Sequence, residues 1–122
     1  MSAIVKPQEE VEAFLRQFKP KMDVWGIFFL NRGKNLDAAI RLNLRETERK
    51  EIIRSLIPGD YVETINDALS YGEMWVFGRD FNDKELYIKI SLGRPGSNTI
   101  CISFHEAEHP INYAYKARED KK

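Results

Sequence analysis

Cysteine occurs once in this chain of 122 residues, as Cys101. A lone cysteine excludes an internal disulfide and fits a reducing compartment. No run approaches the roughly 20 apolar residues that a membrane-spanning helix needs, so no membrane partner is expected. The opening MSAIVKPQEEVE holds no apolar run before its acids, so no signal peptide is expected and the cytoplasm is the default location. Net charge is missing too, because 19 basic residues balance 19 acidic ones. A neutral chain has no global field that would draw it onto nucleic acid, although charge can still be segregated locally. No repeat, low-complexity tract or linker divides the sequence, so residues 1–122 are expected to form a single domain.

Local features give that domain its outline. Residues 31–54 carry seven basic side chains against four acidic ones, which reads first as a solvated helical face and second as a cationic patch. Pro7 and the acids behind it open a helix over about 8–18, with Val11, Phe14, Leu15 and Phe18 on one face and Pro20 as its end. The aromatic and β-branched run DVWGIFFL, 23–30, predicts a strand. NLDAAIRL and RETERKEIIRSL predict two helices, the second closed by Pro58-Gly59. A looser stretch runs from Tyr61 to Gly72. Three strands follow, MWVFG, ELYIKISL and TICISFH, joined by short connections that favour an antiparallel meander. A tail is expected over 116–122. The fold class is α+β: an antiparallel β-sheet, made of the C-terminal three-stranded meander plus an earlier strand, with helices packed on one face.

Residues 105–109, HEAEH, match the H-E-x-x-H pattern of zinc peptidases. That chemistry needs both histidines one helical turn apart, about 6 Å along the axis, to share one ion. Here the motif grows from an alternating β-branched run, and four strand residues span about 13 Å. Pro110 also pushes His109 out of the helical region. No further histidine exists to complete the ligand set. Neither a metal nor any other cofactor is expected.

Alternation then assigns strand faces. Leu86, Ile88, Ile90 and Leu92 point one way, and Tyr87, Lys89 and Ser91 the other. In the next strand Ile100, Ile102 and Phe104 oppose Thr99, Cys101, Ser103 and His105. Pairing the apolar faces brings Tyr87, Lys89, Ser103 and His105 to one surface, with Tyr87 directly or diagonally across from His105. An imidazole exchanges protons near neutrality and an ammonium stabilises an anion. Arg54 or Arg49 of the preceding helix could add a planar cation suited to phosphate. Together these groups suit metal-free RNA cleavage, in which a base activates the 2′-hydroxyl and an acid protonates the leaving 5′-oxygen. Glu106 and Glu108 would repel a phosphate unless they point away. The same residues also fit an ordinary solvated sheet face. Cys101 reads as a structural thiol.

The stretches ERKEIIRSL, DY, MWVFG, ELYIKISLG and TICISFHEAEHP together resemble bacterial toxins of the MqsR kind, within the broader RelE-like group of mRNA interferases. The likeness spans about residues 10–116 and is strongest in the YIK and ISFH strands. It implies a small α+β ribonuclease that cleaves messenger RNA, free or on the ribosome, and is neutralised by an antitoxin protein. Tyr87 matches the functional tyrosine of that family. Arg54 falls where the family has a lysine, and His105 falls where it has a lysine after the S-F pair. Val76 replaces a glutamine after the tryptophan, which removes a polar group. The working set so implied is Tyr87, His105, Lys89 and Arg54, with Arg49, Lys50 and Arg79 as RNA contacts. The alternatives are a non-catalytic interaction module of the same fold and, last, a zinc-dependent hydrolase.

Overall fold

The structure is a computed structural model that describes residues 3–30, 33–67 and 70–115. The expected tail over 116–122 lies outside these residues. Strand β1 (Ala3–Ile4) leads into helix α1 (Gln8–Trp25), strand β2 (Ile27–Phe29), and helices α2 (Gly33–Arg41) and α3 (Glu46–Arg54). A 3-10 turn, Pro58–Asp60, precedes β3 (Tyr61–Asp67), β4 (Gly72–Phe81), β5 (Lys84–Ser91) and β6 (Thr99–Glu106). The six strands form one sheet in the order β1-β3-β4-β5-β6-β2. Every pairing is antiparallel except β2 with β6, which is parallel. The class is α+β, as expected. Among the described residues no helix is long and apolar enough to cross a membrane.

Helix α1 runs past Pro20, which the sequence marks as its end, and stops at Gly26. An interior proline removes one backbone bond and typically costs about 3 kcal/mol. Here Pro20 and Arg16, whose carbonyl loses its partner, both lie on the exposed side, while Phe18 and Met22 are fully buried. Burial of that face outweighs the local penalty. Gly26 then adopts φ 83°, a left-handed conformation in which its N–H bonds the Met22 carbonyl. The expected strand over 23–30 therefore shrinks to three residues.

Helix α1 and Ile53 of α3 cover the sheet face that carries Trp75, Phe77, Leu86, Ile88 and Ile90. Phe14 stacks on Trp75 at 4.2 Å between ring centroids. Helix α2 does a different job, lying against the edge of β6. Its Asn35 side chain donates to the Ile102 carbonyl at 2.8 Å and accepts from the Phe104 N–H at 3.0 Å. One amide thus mimics a neighbouring strand where β2 has already ended.

Two further expectations change. The stretch after Tyr61 is not loose but forms β3, with a bulge between Tyr61 and Glu63. The short connection expected between MWVFG and ELYIKISL contracts to Asn82-Asp83, both at positive φ, which is the two-residue hairpin geometry. β4 consequently extends to Phe81.

Candidate active site

The register of β4, β5 and β6 builds a row of functional groups on the face away from α1. Gly78 pairs with Tyr87, and Tyr87 pairs with His105. Glu63 pairs with Val76, Val76 with Lys89, and Lys89 with Ser103. The expectation that Tyr87 and His105 meet across the hairpin is met in its direct form. Their rings stack with centroids 5.3 Å apart and planes 15° from parallel. Such a contact adds about 1 kcal/mol beyond burial and holds both rings in place.

A second bulge, between Lys89 and Ile90, alters the faces assigned from alternation. Cys101 is the partner of Ile90 and belongs to the core, not to the polar face with Ser103 and His105. Ile102 becomes the extra residue of the bulge and is buried beside Gly33 and Asn35. Burial pushes the Cys101 thiol up to about 12, so it is no nucleophile at neutral pH.

The polar face forms the floor of a cleft of about 670 Å³, within the range of small-ligand sites. Glu63, Tyr87, Lys89, Ser103 and His105 line the floor. The segment after β6, residues 107–114, forms one wall. That wall is fixed by Glu85, which accepts from the Ile111 N–H at 3.0 Å and from the Tyr113 hydroxyl at 2.9 Å. Lys34 of α2 stands at the rim, paired with Glu108.

The chemistry of each group follows from its surroundings. His105 Nδ1 lies 3.0 Å from the Glu106 carbonyl oxygen. A carbonyl only accepts, so the proton sits on Nδ1 and Nε2 is the nitrogen able to exchange protons. Tyr87 is held above the usual phenol range, first by burial and then by the negative charge of Glu63. It therefore acts as a hydrogen-bond donor at neutral pH rather than as a base. Glu106 turns toward Arg41 at 3.5 Å and Lys84 at 3.8 Å, outside the cleft. Glu108 is kept below the usual carboxylate range by its hydrogen bond and charge contact with Lys34. The acids of HEAEH thus leave the floor open.

Four of the basic residues named from the sequence do not gather here. Arg54 pairs with Asp23 of α1, in the helical layer on the opposite face. Arg49 is buried with its guanidinium 4.4 Å over the Phe29 ring, and Lys50 follows it on α3. Arg79 bonds Asp60 at 2.8 Å and Ser55 at 2.7 Å, next to the end of α3. None of these four lines the cleft. Tyr87, Lys89 and His105 are the three that the fold brings together.

Sequence reasoning missed Glu63 and Lys34. Glu63 sits in a strand whose period is broken by its bulge, and Lys34 reaches the site only through the packing of α2 on β6. The HEAEH segment is strand through Glu106 and non-helical beyond it. Among the described residues no group of three or more His, Cys, Asp or Glu is placed to hold a metal ion. Comparison with protein-family profiles, curated proteins and solved structures returned no match for this chain.

Proposed function

We propose that this chain is a metal-free endoribonuclease with a RelE- and MqsR-like fold, acting as the toxin of a bacterial toxin–antitoxin pair. The observation that carries the reading is the Tyr87–His105 register pair, stacked at 5.3 Å beside Lys89 on the floor of one cleft. His105 exchanges the proton through Nε2. The Tyr87 hydroxyl donates a hydrogen bond to a phosphate oxygen, and the Lys89 ammonium counters the charge that builds on phosphorus. The substrate is messenger RNA, free or on the ribosome, in the cytoplasm. The partner is an antitoxin protein. Arg54, Arg49, Lys50 and Arg79 drop out of the working set because of where they sit.

Induction of the chain in a bacterium tests this directly. Growth should stop and transcripts should fragment, and His105→Ala or Tyr87→Phe should relieve both effects. Normal growth with intact transcripts, while soluble protein accumulates, would refute the reading. A second reading, an interaction module without chemistry, draws on Val76 in the floor row and on the two carboxylates, Glu63 and Glu108, that line the cleft with Lys34 and Lys89. Recovery of one stoichiometric protein partner, with RNA untouched, would favour that reading instead.

A further inference from the structure

Cleavage by 2′-hydroxyl attack needs two proton-transfer groups, one to remove a proton and one to supply it. His105 is one. The cleft offers few candidates for the other. Tyr87 keeps its proton at neutral pH. Glu108 is engaged by Lys34 at the exposed rim, and His109 is exposed on the same stretch of wall. Glu63 is different. It is half-buried, it lies on the floor, and the β3 bulge sets it in register with Val76. The Val76 side chain has no polar atom to compete for it. Across that apolar rung stands Lys89, two strands or about 10 Å away at Cα, a gap that the two long side chains can bridge. The order across the floor is then carboxylate, ammonium with phenol, imidazole.

We propose that Glu63 is the general base of this cleft and His105 its general acid, an assignment that rests on the ribonuclease reading above. The Glu63 carboxylate takes the proton from the 2′-hydroxyl as that oxygen bonds to phosphorus. The bond from phosphorus to the 5′-oxygen breaks, and protonated His105 gives its Nε2 proton to that oxygen. The products are a 2′,3′-cyclic phosphate and a 5′-hydroxyl. Glu63 leaves the step protonated and His105 neutral, and proton exchange with water resets both. Lys89 and Tyr87 hold the phosphoryl oxygens between them.

The test uses the full chain and a short RNA with one scissile phosphate, made with either oxygen or sulfur at the bridging 5′ position. A sulfur leaving group needs no proton. On the oxygen substrate Glu63→Gln and His105→Ala should each lose about 10²–10⁴-fold in rate. On the sulfur substrate His105→Ala should recover toward wild type while Glu63→Gln stays slow. Glu63→Asp, which keeps the carboxylate, should retain more of the rate than Glu63→Gln. Glu63→Gln within about twofold of wild type on oxygen, or recovering on sulfur, overturns the base assignment and leaves the ribonuclease reading intact. Loss of the fold in Glu63→Gln, read by thermal melting, would mark a structural carboxylate and overturn it too. A wild-type chain that cleaves neither substrate overturns both.

Discussion

Gly78 shows how closely the wall of the cleft is seated on its floor. A Cβ at this position would stand 2.7 Å from the Tyr113 hydroxyl oxygen and 2.8 Å from Ile111 Cδ1. The wall must then lift or the strand must shift. Gly78→Ala should cost about 1–3 kcal/mol in urea denaturation. Because Gly78 pairs with Tyr87, the same change should also lower the proposed RNA cleavage. Cys101 offers a second test at this scale. Its thiol is buried and raised to about 12, against an ordinary value of 9.0. A group whose folded pKa is raised stabilises the fold fully below its unfolded pKa and loses that contribution as pH rises through the folded value. The contribution of Cys101 to stability should therefore fall between about pH 9 and 12 and be constant at neutral pH. Alkylation of the native chain at pH 8 should be slow, and unfolding should release it.

At the scale of the element, Asn35 decides whether β6 holds its line. Among the described residues the outer edge of β6 has no strand partner beyond Cys101, and one side-chain amide satisfies both Ile102 and Phe104. Asn35→Ala leaves a buried carbonyl and a buried N–H unpaired, at about 1–3 kcal/mol each before water enters. Hydrogen exchange at the Phe104 amide should accelerate first, since the edge opens before the fold does. The Tyr87–His105 stack follows one residue later on the same strand, so cleavage should fall more than global stability alone would give. Elements also explain what the sequence concealed. In β3 the inward residues Tyr61 and Thr64 are three apart instead of two, because of the bulge. That spacing hides a strand from any search for alternation. The β6 bulge exchanges the faces of Cys101 and Ile102 in the same way.

For the whole molecule, the division of labour between the two sheet faces predicts what the basic residues do. Asp60 is only 3% exposed and is held by Arg79. Arg79→Ala would take the guanidinium away from that buried carboxylate, at about 3–5 kcal/mol. The loss should appear in denaturation, with the rate of the remaining folded protein unchanged. Arg54 pairs with Asp23 at a partly exposed site, and such pairs contribute about 0–1 kcal/mol. Arg54→Ala should melt close to wild type and keep the rate of the proposed cleavage. A large loss of cleavage in folded Arg54→Ala would contradict the placement of the site on the opposite face.

The alternating runs ELYIKISL and TICISFH by themselves put Tyr87 and His105 on one face, directly or diagonally opposed if the strands pair, and the tertiary structure decided the direct pairing. Burial of one face fixes register, and a slip by a single residue would turn every apolar side chain to water. The same local logic kept HEAEH out of a helix, since a β-branched run leads in and a proline follows. Residue spacing carries such facts because they depend only on neighbours along the chain. Which cations reach the cleft was decided elsewhere. Arg54 and Arg79 were turned away by ion pairs with Asp23 and Asp60, and Glu63 and Lys34 were brought in by a bulge and by a helix docked on a strand edge. Contacts between residues far apart in sequence arise only when the layers close and each buried polar group must find its partner. That requirement acts on the assembled fold and leaves no period in the sequence to read.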